Sequence, residues 1–342
     1  MAAIGIDSHK RTLAACAVDE LGMPLGERTF ANDPVGHRAL LDWAEQVASQ
    51  GTIGIEGSAS FGAAAARFLV AAGRAVREVP PQLSHRERAR IRRAGKSDPG
   101  DALAIARVTA RESALPPVRL ADSTREIQLL VEAREDLVAE ATRLRNRLHA
   151  DLVVLAPGYE AKADNLVAER HRRVVARRLR RLTGIQAQLA RRRLARLERL
   201  LAEARELEAQ LAARVGDHPL LALPGAGVLT VAKLIGEAGD MARFRSADAF
   251  AMLAGVAPIP ASSGQRQRMR LNRGGNRQLN RALYVIALIQ AWHHPPAKAY
   301  VARKRAEGRS WREAIRGLKR HLARVVFQLL RLGAVRAASV AA

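Results

Sequence analysis

The chain has 342 residues, with 57 Lys and Arg against 33 Asp and Glu, nine His and a single cysteine, Cys16. One cysteine excludes an intrachain disulfide framework and any cysteine-based zinc site, and no apolar run approaches the ~18 residues of a membrane-spanning helix. A formal net charge of +24 calls for a polyanionic partner, nucleic acid by default, on a chain longer than a single core of about 250 residues.

Ala3-Ile4-Gly5-Ile6-Asp7 is a short apolar run that ends in a carboxylate, and an acid this early predicts no signal peptide. Thr12–Val18 and Pro24–Phe30 are two more strand-like runs, separated by the turn signal Asp19-Glu20-Leu21-Gly22. Pro34–Ser49 has helical spacing, with Val35, Leu40, Leu41, Ala44 and Val47 on one side. Thr52–Glu56 reads as a strand that again ends in a carboxylate, Ala63–Ala72 as a helix, Ala75–Val79 as a strand and Asp98–Arg111 as a helix. Three strands followed by alternating helices and strands predict an α/β unit, a mixed sheet with helices packed on it, in the order of the ribonuclease H-like fold.

The carboxylates carry the chemistry of this third. Asp7 and Glu56 close two otherwise apolar strands, and Asp98 and Asp101, three apart, share a helix face. Four converging carboxylates do not all stay ionised without a counter-ion, and a hard divalent cation such as Mg²⁺ or Mn²⁺ takes oxygen ligands of this kind. Two such ions ~4 Å apart clamp the attacking and leaving oxygens of an in-line phosphoryl displacement. For Asp98 and Asp101 taken alone a plainer reading stays open. Asp98, before Pro99, has the pattern of an N-cap, and Asp101 suits the positive end of the helix dipole.

The middle reads as long helices. Apolar residues from Asp122 to about Leu155 and from about Asp164 to Arg214 recur at steps of three, four or seven, with Pro157-Gly158 as the turn between them. An antiparallel helical hairpin, a coiled-coil arm, is expected. Arg172, Arg173, Arg177, Arg178, Arg180, Arg181 and Arg191 to Arg193 cluster on it, either as a solvated surface or as a stripe tracking a nucleic-acid backbone.

Charge concentrates in the last third. Residues 1–118 hold 15 basic and 13 acidic residues, residues 119–218 hold 21 and 15, and residues 219–342 hold 21 and 5. Within that basic third, Leu223-Pro224-Gly225-Ala226-Gly227 and its flanks have the spacing of a helix-hairpin-helix, an α-helical element whose second helix would offer backbone N–H groups at Gly225 and Gly227, and Lys233 beyond, to a phosphate. Ser262-Ser263-Gly264 then leads into a stretch with Arg266, Arg268, Arg270, Arg273, Arg277 and Arg281 and no acid. On composition alone the Ser-Ser-Gly is a loop. A serine nucleophile would need the charge stabilisation that nearby arginines supply.

Taken in order, Gly5-Ile6-Asp7, Ile55-Glu56, Lys96-Ser97-Asp98-Pro99-Gly100-Asp101-Ala102, the Leu-Pro-Gly-Ala-Gly hairpin and Ser263-Gly264 with Gly275-Asn276-Arg277 downstream resemble the DEDD transposases of the insertion-sequence one-ten family. The resemblance runs over nearly the whole chain. It implies a RuvC-like N-terminal domain whose tetrad Asp7, Glu56, Asp98 and Asp101 holds Mg²⁺, a coiled-coil arm, and a transposase domain whose strand-transfer nucleophile is similar to Ser263, with adjacent Ser262 the alternative. It also implies a homo-oligomer in which domains of different subunits form a composite site, and a structured non-coding bridge RNA that pairs with DNA. The chain departs from the family pattern after the second carboxylate, where Gly57-Ser58-Ala59 stands in place of Ala-Thr-Gly, and in its heavier arginine content beyond Ser263.

The expectation is therefore a prokaryotic, cytoplasmic, nucleoid-associated transposase or recombinase acting on DNA, with no membrane partner. The expected domains are 1–118 for metal chemistry, 119–216 for the arm and 217–342 for the transposase domain. Two rivals remain on the residues alone: a metal-dependent RuvC-like nuclease using water, and a non-catalytic nucleic-acid-binding protein.

Overall fold

The computed structural model describes residues 2–90, 98–118, 123–261, 269–272 and 274–341, with backbone alone at 90, 98, 99 and 337–341. Contacts divide the chain into two compact units, Met1–Asp122 and Ser123–Ala342.

The first unit contains β1 (Ala3–Ser8), β2 (Thr12–Val18), β3 (Pro24–Ala31), α1 (Pro34–Ala48), β4 (Thr52–Glu56), α2 (Ala63–Ala71), β5 (Val76–Glu78), α3 (Pro81–Arg90) and α4 (Asp98–Arg111). The strands form one sheet in the order β3-β2-β1-β4-β5. The β1–β2 and β2–β3 pairs are antiparallel and the β1–β4 and β4–β5 pairs parallel. The expected meander and crossovers are thus present, and α3 is an element the periodicity reading lacks. Its sequence, Pro-Gln-Leu-Ser-His-Arg-Glu-Arg-Ala-Arg, is too polar to carry an apolar stripe.

Strand alternation sorts the two faces of the sheet. Ile4, Ile6, Ile53 and Ile55 pack with Leu40, Trp43, Ala44 and Leu69 beneath α1 and α2. Asp33 caps α1 by accepting a 2.8 Å hydrogen bond from the Gly36 N–H. The opposite face is built from small residues, Ala3, Ala14 and Cys16, against Ala102, Leu103 and Ala106 of α4. A Cβ on Gly5 would lie 2.1 Å from the Ala106 nitrogen, and one on Gly54 would lie 1.8 Å from Thr109 Oγ1. These two glycines let α4 lie directly on β1 and β4.

The second unit is helical. It comprises α5 (Ser123–Leu155), α6 (Glu160–Ala163), α7 (Glu169–Arg180), α8 (Ile185–Val215), α9 (Val228–Ala238), α10 (Ala247–Leu253), α11 (Arg277–His293), α12 (Pro295–Ala306) and α13 (Trp311–Ala341). Two-residue strands β6 (Ile259–Pro260) and β7 (Met269–Arg270) pair antiparallel. The long helices α5 and α8 run antiparallel, joined across their length by Arg134–Glu208 at 2.7 Å and by Arg193–Asp151. Leu148, Leu152, Leu166, Leu179 and Leu197 form a core at the far end. At the base, Ile127, Val131, Leu211 and Val215 enter the same core as Val231, Leu234, Phe250, Leu283 and Val326. Within the segment expected at 119–216, the residues at its base therefore share a core with those beyond 217, while its far end has a core of its own.

The second arm helix is not continuous from Asp164 to Arg214, as the spacing predicts. It breaks between α7 and α8 at Gly184, whose φ of +91° lies where side chains are strained. Arg191 donates to the carbonyls of Leu179 at 2.8 Å and Leu182 at 2.9 Å and so closes the break. Among the described residues no helix is long and apolar enough to cross a membrane.

Candidate active site and nucleic-acid surface

Asp7 and Glu56 lie directly opposite each other in the parallel β1–β4 register. They follow Gly5 and Gly54 at the two-residue period of a strand, so they share the face covered by α4. Paired positions on neighbouring strands are about 4.8 Å apart, so two carboxylates here repel unless cations or donors compensate them. Each is compensated. His9 Nε2 stands 3.2 Å from Asp7 Oδ2. Ser84, on α3 and 1% exposed, donates a 2.6 Å hydrogen bond to Glu56 Oε2. Ser8 Oγ donates to the Glu56 carbonyl at 2.8 Å and ties β1 to β4 beyond the last register pair.

Asp101 is buried on the first turn of α4 and accepts a 2.9 Å ion pair from Arg88 Nη1. Ser84 and Arg88 are four apart on α3, on one face of that helix. Thus α3 supplies the partners of two of the four expected acids. Asp98 opens α4, and its side chain lies outside the described residues, as does the preceding segment 91–97.

Glu78 was not among the expected site residues. It closes β5 as Glu56 closes β4, with Asp7 one residue before the end of β1, and that repetition is the signal by which the sequence carries it. Its Oε2 accepts a 3.2 Å hydrogen bond from the Ser58 N–H, holding the turn that follows Glu56. Burial pushes the Glu78 carboxyl above its ordinary range. Hydrogen bonds from Ser58 and Gly57 oppose that shift, and the charge of Glu56 adds to it.

The oxygen donors fit a hard divalent cation in type, and Asp7 and Glu56 fit it in placement. Asp101 is turned to Arg88. Among the described residues no three His, Cys, Asp or Glu side chains stand together as a metal site.

In the second unit, the first helix of the expected hairpin is a single 3₁₀ turn, Pro219–Ala222, ahead of α9. Gly225 turns the chain at φ +85° and rests on Ile289 of α11, and the Pro224 carbonyl accepts a 2.8 Å hydrogen bond from Gln290 Nε2. This turn packs on protein through Gly225, while Gly227 is exposed, and a Cβ there would meet nothing within 4 Å. Lys233, expected at a phosphate, is 8% exposed instead. Its ammonium pairs with Glu135 and donates a 2.9 Å hydrogen bond to Gln278, so burial makes it a structural cation.

Ser262, Ser263, Arg266, Arg268 and Arg273 lie outside the described residues. Arg270 on β7 and Arg277 and Arg281 on α11 are exposed. The asparagines of the Gly-Asn-Arg stretch are structural. Asn276 Oδ1 caps α11 by accepting from the N–H groups of Gln278 at 2.9 Å and Leu279 at 3.0 Å. Asn280 Nδ2 donates to the Ala254 carbonyl at 2.8 Å. On the arm, Arg172 is buried, with Nη1 on the Leu166 carbonyl at 3.2 Å, so the arginine cluster is partly internal scaffolding.

Paired acids at the ends of central strands in one unit, and an exposed basic surface in the other, equip a protein for work on phosphodiesters. Residues 4–157 match the family model for DEDD transposases of IS110, described as a transposase, and residues 217–302 match the one described as the IS116/IS110/IS902 transposase family. An uncharacterized 42 kDa protein of insertion element IS900 from Mycobacterium paratuberculosis is 29% identical, covering 97% of this chain and 96% of its own. An uncharacterized 43.6 kDa protein of insertion element IS110 from Streptomyces coelicolor is 30% identical, over 96% and 94%. Among solved structures, T. thermophilus RuvC in complex with a Holliday junction substrate matches at 18% identity and a TM-score of 0.28, over 34% of this chain and 99% of that one. The chain belongs to the IS116/IS110/IS902 transposase family, and it is an enzyme of the DNA transposase and recombinase class.

Proposed function

We propose that this transposase exchanges DNA strands through a covalent serine intermediate, with the tetrad Asp7, Glu56, Asp98 and Asp101 as its metal site. The observation that carries the reading is the pairing of Asp7 with Glu56 on one face of adjacent strands beneath α4. Ser263 Oγ attacks a backbone phosphorus. The new P–Oγ bond replaces the P–O3′ bond, and the serine proton goes to the departing 3′ oxygen. The freed 3′-OH then attacks the phosphoserine of the other strand, restoring a P–O3′ bond and the serine hydroxyl. The number of phosphodiester bonds is conserved, so no nucleotide is consumed.

The four carboxylates would hold Mg²⁺ or Mn²⁺, which when bound supplies Lewis-acid polarisation of a phosphoryl oxygen. Arg270, Arg277 and Arg281, with Arg266, Arg268 and Arg273, hold the backbone. A structured non-coding RNA selects the DNA by base pairing, and the protein works as a homo-oligomer. Both follow from the family resemblance.

The test is strand exchange between a donor and a target plasmid, alongside Mn²⁺ binding by calorimetry. Asp7→Asn should lower exchange by at least about a hundredfold and weaken Mn²⁺ binding, with DNA affinity within about twofold of wild type. Full exchange by Asp7→Asn would remove the acid site from the reaction.

A further inference from the structure

The basic residues of the second unit are of two kinds. Several along the arm have acids: Arg134 has Glu208, Arg193 has Asp151 and Arg196 has Glu140, and on α9 Lys233 has Glu135. Those around a cleft between α11 and α13 do not. Arg316, Lys319 and Arg320 on α13 line one hollow of it, Arg277 and Arg281 on α11 line an adjoining one with Lys319, and no acidic residue lines either. Among the described residues none of the five has a carboxylate within ion-pair distance.

Lys319 is the fixed point of the cleft. Its Nζ donates a 2.7 Å hydrogen bond to Asn280 Oδ1 and lies 5.7 Å from the centroid of the Tyr284 ring. Asn280 cannot swing away, because its Nδ2 is held by the carbonyls of Ala254 and Gly255. The amide and the aromatic face therefore aim a half-buried ammonium while leaving its charge uncancelled. Burial and the neighbouring Arg316 push Lys319 below the ordinary lysine range, a strain that an anion would relieve. The cleft also includes Ala257 and Pro258, which lead directly into β6 and the segment carrying Ser263.

Five cations around two adjoining hollows that share Lys319, with no acid among the lining residues, favour an anion there. Two of them stand one helical turn apart on α13, at 316 and 320, which suits the repeated charge of a strand. We infer that the Lys319 cleft is a binding site for the phosphodiester backbone of a nucleic acid, with Lys319 the inner contact and Arg316 and Arg320 extending the track along α13. This assigns a binding role to α13, and it stands whether or not Ser263 is the nucleophile.

The measurement is fluorescence anisotropy with labelled duplex DNA and with labelled single-stranded RNA across a salt series. It uses the full chain carrying Ser263→Ala, so that binding is read without strand exchange. Lys319→Gln should weaken binding about tenfold near 0.1 M salt and lower the slope of log affinity against log salt by about one. Arg316→Ala with Arg320→Ala, both on the surface, should lower the slope by about two while leaving the melting temperature unchanged. Lys319→Arg should restore most of the Lys319→Gln loss, and Arg303→Ala on α12 should change nothing. A loss confined to the DNA or to the RNA probe identifies the strand that lies there. Wild-type affinity and slope for both probes in the Arg316→Ala and Arg320→Ala variant and in Lys319→Gln would overturn the assignment.

Discussion

Arg88 and Glu78 govern the acid site without belonging to the expected tetrad. Arg88 neutralises Asp101 at 2.9 Å, where a bound cation would otherwise do so. Glu78 stands behind Glu56 and holds the Ser58 N–H. Its carboxyl is raised by burial, so the folded state binds its proton more tightly than the unfolded chain does. The stabilisation is therefore full below the unfolded glutamate value near 4.5 and is lost as pH rises through the higher folded value. Glu78→Gln keeps an acceptor for Ser58 and removes the titration. Between pH 4 and pH 7 the melting temperature of the wild type should fall relative to that of Glu78→Gln, read by calorimetry on both proteins. Parallel melting curves across that range would contradict this role for Glu78. Asp7 and Glu56 were legible in the sequence because an acid at the end of an apolar strand has no packing reason to be there. Lys233 misled because a lone lysine in a basic third looks solvated, whereas its partner Glu135 lies 98 residues away.

At the scale of elements, α4 is the part on which the site depends. It reaches the sheet only because Gly5 and Gly54 have no side chains. A methyl on Gly5 meets backbone atoms of Ala102 and Ala106, which cannot rotate aside, so α4 must move away from β1. Gly5→Ala should cost about 1–3 kcal/mol of stability and lower strand exchange by more than that loss alone explains, because Asp98 and Asp101 move with the helix. Chemical denaturation measures the first and the plasmid assay the second. A variant of wild-type stability would mean that α4 is not seated as described. Periodicity located α1, α2, α4 and α5 because each has an apolar stripe. It missed α3, whose inward residues Ser84 and Glu87 are polar and pair with other acids and arginines, Glu87 with Arg111 at 2.8 Å. It joined α7 to α8 because leucines continue on both sides of Gly184, and a leucine count does not register one left-handed glycine.

For the whole molecule, the +24 charge divides by role. The first unit is close to neutral and carries the acids, of which Asp7, Glu56 and Asp101 each have a local partner. The second carries the excess, and its arginines are of two sorts, some bonded to carbonyls and acids of the arm and others, such as Arg277 and Arg281 on α11 and Arg316 and Arg320 on α13, with no carboxylate partner among the described residues. Net charge made a polyanion legible, but it did not separate these two sorts, since only tertiary contacts do. The central claim is the covalent serine step, and it is tested most directly by trapping the intermediate. With a nicked DNA substrate whose departing strand diffuses away, denaturing electrophoresis and peptide mapping should find DNA linked to Ser263. That adduct should be absent in Ser263→Ala and present in Ser262→Ala. Cleavage of the same DNA with no protein-linked product would contradict the account and identify water as the nucleophile.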